Sequence, residues 1–305
     1  MLAVLTCYFN SGESEFRLRN YKHFRTRLLM EEVALFTIEV AFGEAPFQLE
    51  PMGEHLVQIR AVNKMWQKER AINILLQDLP SEYDQVVWMD CDLIYIQKNW
   101  PQRISEALND YAVIQPYAWA AAMPDCKFAS PTNAHVVMWD CFGTGNYRRS
   151  FAHYLSDKDR HVIFHKGHVG YVWAARREFL DRHKLYDPII TGCGDLFMAL
   201  AFSGHLGFLD ATPELRGLRQ DTTNHFFDWA FPVFEDTQGR IGYTSDLVLH
   251  LWHGDLNTRN YLHLSQCLQK YGFNPNEDLR IGQSGCWEWN RKNLGLRRAV
   301  DAIMG

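Results

Sequence analysis

An α/β fold with a mostly parallel sheet is predicted by three features of this sequence. Short β-rich runs alternate with segments of helical spacing through the first half of the chain. One run, Val86-Val87-Trp88-Met89, is continuously apolar, as expected of a central strand covered on both faces. No repeat or low-complexity tract interrupts the 305 residues, a length suited to one large α/β domain.

Leu2 to Phe9 reads as the first strand. It is closed by the turn residues Asn10-Ser11-Gly12, after which Ser14 can cap a helix to about Met30. Val33 to Val40 is a second strand ended by Gly43. Gln67 to Gln77 has helical spacing, with Ile72, Leu75, Leu76 and Leu79 on one face. After the apolar strand come a helix starting beyond Pro101 and a β element from Tyr111 to Gln115. From Pro116 to about Lys166 the chain is aromatic without sustained periodicity, carrying Tyr117, Trp119, Phe128, Trp139, Phe142 and Tyr147. Its aromatic content argues against disorder, so it is expected to wall or cover a substrate. Order returns with Gly167 to Ala175, a helix from Arg176 to His183 and another from Asp195 to Phe202. The tail from Leu256 has helical character. The expected organisation is one domain, 1–255, with a C-terminal helical appendage, 256–305, packed on it.

With 47% hydrophobic and 22% charged residues, disordered, collagen-like and coiled-coil classes are excluded. A net charge of −5 gives no global attraction to nucleic acid or anionic membrane, although a local basic groove stays open. The seven cysteines never form a C-x-x-C pair, which points to a reducing cytoplasm. The apolar start, Met1 to Leu5, lacks the basic residues of a signal peptide and reads as a strand. No stretch approaches the ~20 apolar residues of a membrane span.

The sharpest chemical feature is Asp90-Cys91-Asp92, directly after the apolar strand. Alternate residues of an extended chain point the same way, so the two carboxylates can address one cation at the ligand-binding end of the sheet. Without a counterion, two such buried acids would force one to take up a proton. Hard oxygen ligands suit Mg²⁺ or Mn²⁺, which hold phosphate oxygens. A bare D-x-D is more often a turn with solvated acids, so three further groups decide its weight. His250-Leu251-Trp252-His253-Gly254 offers two imidazoles, and one His with two Asp favours Mn²⁺. His253 is the expected ligand because Gly254 lets the backbone bend around a bound group. Lys68-Glu69-Arg70 with Asn73 opens a helix, a natural place for phosphate or a nucleotide, though also an ordinary solvated face. Gly192-Cys193-Gly194-Asp195 permits close approach to a ligand. Asp195 there is either a helix N-cap or, if it faces the metal, a general base.

The order of these elements resembles the GT-A fold glycosyltransferases, specifically the inverting, nucleotide-sugar-dependent kind. It comprises a strand ending in Asn10, a strand ending near Glu39, an Arg-x-x-Asn helix, the Asp90-Cys91-Asp92 strand end, a Gly-Asp segment and a terminal His. The phrases Trp66-Gln67-Lys68-Glu69-Arg70, Trp88-Met89-Asp90-Cys91-Asp92, Gly170-Tyr171-Val172-Trp173-Ala174-Ala175-Arg176-Arg177 and His250-Leu251-Trp252-His253-Gly254 look like a bacterial and phage subgroup similar to glycosyltransferase family 2. The resemblance implies a Rossmann-like, mixed and mostly parallel sheet flanked by helices. It implies that Asp90 contacts ribose or metal, that Asp92 ligates the metal and that His253 completes the coordination. Thr6, Tyr8, Asn10 and Glu39 would hold base and ribose, with Lys68, Arg70 and Asn73 along the nucleotide pocket. Asp195 matches the acceptor-activating carboxylate, although relatives often carry paired acids where this chain has Gly194 before Asp195. The implied reaction is a single displacement on a nucleoside-diphosphate sugar, commonly a UDP-sugar, with Mn²⁺ or Mg²⁺ and inversion at the anomeric carbon.

Other readings compete. A metal-dependent nucleotidyltransferase would use the same carboxylates and cationic helix but release pyrophosphate. A phosphatase with a nucleophilic first Asp would carry the motif after its first strand, and here it follows a long stretch of α/β structure. A non-enzymatic sugar-binding protein using the ten tryptophans would need neither Asp195 nor the metal. The acceptor hydroxyl could belong to a glycan, lipid, protein or small molecule, or, by the phage-like resemblance, to a hydroxymethylated pyrimidine in DNA. For DNA there are the acid-free run of Arg17, Arg19, Lys22, Arg25 and Arg27, and the pairs Arg148-Arg149 and Arg297-Arg298. Against it, Tyr21, Phe24 and Leu28 at helical spacing make that run an amphipathic helix with a solvated cationic face.

Overall fold

In the computed structural model, the described residues are 1–9, 14–123, 147–157, 167–209, 215–254, 261–290 and 293–304. In chain order the strands are β1 (Leu2–Tyr8), β2 (Ala34–Phe42), β3 (His55–Ala61), β4 (Gln85–Met89), β5 (Leu93–Tyr95), β6 (Val113–Gln115), β7 (Trp119–Ala122), β8 (Tyr147–Arg149), β9 (Val172–Arg176), β10 (Ile241–Tyr243), β11 (Leu247–His250), β12 (Leu279–Ile281) and β13 (Trp287–Trp289). The helices are α1 (Glu15–Met30), α2 (Lys68–Asp78), α3 (Trp100–Asp110), α4 (Phe151–Leu155), α5 (Arg177–His183), α6 (Gly194–Ser203), α7 (Gln220–Thr237), α8 (Tyr261–Lys270), α9 (Pro275–Asp278) and α10 (Leu294–Met304).

The main sheet runs β10-β6-β9-β4-β1-β2-β3, parallel throughout except for β9, which is antiparallel to β4 and β6. The expected mixed, mostly parallel sheet flanked by helices is what the chain forms. Strand alternation splits the core in two. Ala3, Leu5, Val86 and Trp88 face one cluster, joined by Ile72 and Leu75 of α2 and Phe197 of α6. Val4, Val87 and Met89 face the other, with Tyr21, Phe24 and Leu28 of α1 and Trp100, Ile104 and Leu108 of α3. Both faces being covered is why β4 has no polar residue between Val86 and Met89.

Strand order reverses at β1, with β2 on one side and β4 on the other. In open α/β sheets ligands bind at the carboxyl ends beside such a switch point, and Asp90 follows β4 there. A second sheet, β5-β11-β7-β8, pairs β5 antiparallel to β11 with Leu93 opposite His250. That register brings the chain around Asp92 alongside Leu251, whose N–H donates to the Asp92 carbonyl (2.9 Å).

β3 and α7 are among the elements with little signal in the sequence. β3 is a largely exposed edge strand, so its apolar alternation is faint. Helix α7 carries Thr222, Thr223 and the interior Pro232, all poor helix formers. Burial of Phe226, Ala230 and Val233 in the core outweighs that local preference. In the C-terminal segment, helices α8, α9 and α10 are joined by an antiparallel β12–β13 hairpin that helical spacing alone did not indicate. Of the long aromatic segment, β7, β8 and α4 are described, while residues 124–146 and 158–166, including Phe128, Trp139 and Phe142, lie outside the described residues. No helix of the described residues is long and apolar enough to cross a membrane.

Candidate active site

Two clusters of polar side chains meet at the switch point. The first centres on Lys68 at the start of α2. Its Nζ lies 2.9 Å from Asp195 Oδ2, 3.2 Å from Asp90 Oδ1 and 3.7 Å from Glu69 Oε1. A cation in the first turn of a helix opposes the helix dipole, and here three carboxylates compensate. Burial disfavours the ammonium, but Asp195, Asp90 and Glu69 together hold its pKa well above the usual lysine range. The acids pay in the opposite direction. Burial, with Lys68 only partly offsetting it, pushes Glu69 up to about 7 and Asp90 to about 6; Asp195 adds to both shifts and Asp92 to that of Asp90. One positive charge among three carboxylates leaves this part of the site short of cations.

Glu69 also accepts from the Trp66 indole N–H (2.9 Å) and is almost fully buried. The residue opposite it is Gly194, where an added Cβ would come within 2.6 Å of Glu69 Cδ. The glycine before Asp195 is therefore explained by packing: the Glu69 carboxylate fills the space a side chain at 194 would take. Asp195 lies in the first turn of α6, whose N-cap is Cys193, and its carboxylate accepts from Lys68 Nζ. Lys68 and Asp195 line a small cavity with Met89, Trp88, Tyr171 and Trp173. Among the described residues, the indole N–H of Trp88 on that wall has no hydrogen-bond partner.

The second cluster is Asp92, His250 and His253. Asp92 Oδ2 lies 3.1 Å from His253 Nε2 and 3.6 Å from His250 Nε2, and the three can offer ligand atoms within 4.8 Å of one another. One carboxylate and two imidazoles suit Mn²⁺ or another first-row ion better than Mg²⁺. Of the expected Asp90, Asp92 and His253, the structure groups Asp92 and His253 with His250. The chain turns directly after Met89, so strand alternation does not extend to Asp92; Asp90 faces Lys68 and Asp195, and His250 stands in its place. The imidazole segment is held from α1. The buried Asn20 side-chain amide donates to the Trp252 carbonyl (2.9 Å), and Phe16 packs edge-on against the Trp252 ring.

Other residues expected along a nucleotide pocket have their polar groups committed elsewhere. The buried Thr6 hydroxyl donates to the Met89 carbonyl (2.8 Å) and braces the end of β4. Tyr8, also buried, donates its hydroxyl to Gln48 (2.6 Å). Glu39 accepts the backbone N–H groups of Gln48 and Leu49 and the Gln58 amide, so its carboxylate shapes the 48–49 loop. Arg70 donates to the Gly285 carbonyl (2.6 Å) and pairs with Asp187, while Asn73 bonds Asp187 and both backbone groups of Leu185. Arg70 and Asn73 thus anchor the 185–187 segment and the C-terminal hairpin, because the outward face of α2 is covered by those segments. Asn10 lies outside the described residues.

Glu69 and Tyr171 lie within phrases that carry the sequence resemblance but have no role assigned by it, and nothing local marks Asn20, whose contact lies 232 residues away.

No family model and no curated protein matches this chain. Several solved structures resemble it in outline. A Drosophila β-1,4-galactosyltransferase 7 mutant, in complex with manganese, UDP-Gal and xylobiose, is 13% identical with a TM-score of 0.36, over 85% of this chain and 73% of its own. A putative glucose-1-phosphate thymidylyltransferase from Bacillus anthracis, in complex with a sucrose, is 10% identical with a TM-score of 0.39, over 93% of this chain and 99% of its own. Mouse xyloside xylosyltransferase 1 in its apo form is 14% identical with a TM-score of 0.32, over 84% of this chain and 98% of its own.

Proposed function

We propose that this chain is a metal-dependent, inverting glycosyltransferase of the GT-A type. It moves a sugar from a nucleoside-diphosphate sugar, a UDP-sugar by the sequence resemblance, to an acceptor hydroxyl. The observation that carries the reading is the meeting, at a switch point of a mostly parallel sheet, of an Asp–His–His cation site with a lysine held among acids.

Asp92, His250 and His253 would hold the ion. When bound, a divalent cation there supplies charge that stabilises the departing nucleoside diphosphate. The chain's own groups act on the other side of the reaction. Asp195 accepts the proton of the acceptor hydroxyl. The acceptor oxygen then bonds to the anomeric carbon as that carbon's bond to the diphosphate oxygen breaks, and the leaving group departs with the electron pair. Attack from the opposite face inverts the configuration. Lys68 fixes the orientation of Asp195 and adds positive charge near the diphosphate.

A glycan or other small hydroxyl acceptor fits better than DNA. In the basic run of α1, Arg25 is buried against Glu54 (2.7 Å) and Arg27 pairs with Glu31 (2.6 Å), so the five cations do not form one open track for phosphates. Arg149 pairs with Asp157 (3.0 Å).

The test is the rate of sugar transfer to pooled glycans and, in a separate arm, to hydroxymethylated DNA. EDTA and Asp92→Asn are expected to abolish or strongly weaken metal-dependent turnover. Asp195→Asn is expected to slow acceptor-stimulated transfer about 100-fold or more, with donor affinity changed only a few-fold. Wild-type transfer by Asp195→Asn would remove the general base, and a retaining reaction would become the better reading.

A further inference from the structure

One strained residue joins the two halves of the site. Tyr171 has φ = +81°, and the Val172 N–H donates to the Gly170 carbonyl (3.3 Å), closing a three-residue γ-turn around it. That conformation is rare and costly for a residue with a Cβ. Such strain persists only where the surroundings over-determine it, and it gathers at functional sites. Glycine would hold the same backbone without strain, so the tyrosine side chain must supply something that glycine could not.

The ring contacts two imidazoles. It stacks on His168, with centroids 3.9 Å apart and planes 20° from parallel, and it lies against His250 at 4.9 Å and 36°. His168 is held in place by its own turn and by Gln115. His168 Nδ1 accepts the Gly170 N–H (3.2 Å), and the His168 carbonyl accepts the Gln115 side-chain amide (2.8 Å). His250 is the imidazole whose Nε2 faces Asp92 at 3.6 Å. The Tyr171 carbonyl meanwhile accepts the Asp90 N–H (2.8 Å), so the same residue also holds the backbone of the acid that pairs with Lys68.

We propose that Tyr171 is a positioning residue for the cation site: its strained turn holds the ring against His250 and sets that imidazole's approach to Asp92, while its carbonyl fixes Asp90. This rests on the cation site of the function proposed above. Groups that orient a metal-ligating histidine without touching the metal typically change affinity ~10–100-fold when removed.

The experiment measures Mn²⁺ affinity by electron paramagnetic resonance, with no donor or acceptor present, alongside melting temperature. It uses the wild type, Asp92→Asn, Tyr171→Phe, Tyr171→Ala and Tyr171→Gly. Tyr171→Phe keeps the ring and is expected to bind Mn²⁺ within about threefold of wild type, whereas the Ala and Gly variants bind about tenfold or more weakly. Ala and Gly lose the same ring, but only Gly relieves the backbone, so it is expected to melt a few degrees higher than Ala. A purely structural tyrosine would lower the melting temperatures and leave Mn²⁺ affinity unchanged, and that result overturns the proposal. Equal melting of the Ala and Gly variants would also overturn it, by removing the strain. If the wild type bound no Mn²⁺, or Asp92→Asn bound it equally well, the cation site itself would fall, and this inference with it.

Discussion

Glu69 makes the charge balance of the site measurable at a single residue. Burial, with Lys68 only partly offsetting it, raises its pKa from the usual 4.5 to about 7. The folded chain therefore binds this proton more tightly than the unfolded chain does. The resulting stability is complete below about pH 4.5 and is lost as pH rises through about 7. Asp90, raised to about 6, acts in the same sense at slightly lower pH. Glu69 and Asp90 thus favour the metal-free fold at pH 5 over pH 8, against His168, His205 and His225, whose burial lowers their pKa values and acts in the opposite sense. Glu69→Gln imitates the protonated acid, still accepts the Trp66 N–H, and should lower the melting temperature at pH 5 relative to that at pH 8 by the share due to Glu69. Melting curves at the two pH values check this; an unchanged difference in the variant would show that Glu69 does not hold the proton.

Between elements, the first turns of α2 and α6 meet where Gly194 faces Glu69. Gly194→Ala would set a methyl group within 2.6 Å of Glu69 Cδ. The side chain can swing aside, so the expected loss of stability is modest, about 1 kcal/mol. The displaced carboxylate no longer lies beside Lys68, and transfer should fall about tenfold or more, since small misplacements in a site are costly. Chemical denaturation together with turnover measures both; large destabilisation with normal turnover in the folded fraction would mean that Glu69 only packs. This pair also marks how far the sequence could be read. Asp90-Cys91-Asp92, Asp195 and the two histidines announce themselves by residue type and by their positions at element ends. The direction each side chain takes does not. The turn after Met89 separates Asp90 from Asp92, and the Leu93–His250 register decides which acid meets the imidazoles. The resemblance sets Arg70 and Asn73 along a nucleotide pocket; helical spacing says nothing about what covers a helix, and here both side chains bond Asp187 while Arg70 also bonds Gly285.

On the scale of the whole molecule, the site depends on segments from both ends of the chain. Cys286, Trp289, Leu296 and Val300 from the C-terminal segment share one core cluster with Ile72 of α2 and Trp88 of β4. The Gln67 side chain, immediately before Lys68, exchanges two hydrogen bonds with the backbone of Trp287 (2.7 and 3.1 Å), fixing where α2 begins. At the other end, Asn20 of α1 steadies the segment between His250 and His253. This long-range bracing gathers one cation site, one lysine and one candidate base at the mouth of the sheet, and the arrangement leaves two chemistries to separate: transfer at the anomeric carbon and transfer at phosphorus. The measurement that divides them most directly is mass-spectrometric identification of the products formed with Mn²⁺ in two parallel arms, one with a panel of nucleotide sugars and one with nucleoside triphosphates plus sugar phosphates. Release of the nucleoside diphosphate, dependent on the metal and lost in Asp92→Asn, is the predicted result. Pyrophosphate formation from a nucleoside triphosphate and a sugar phosphate, with no nucleotide sugar cleaved, would contradict the account and make the chain a nucleotidyltransferase.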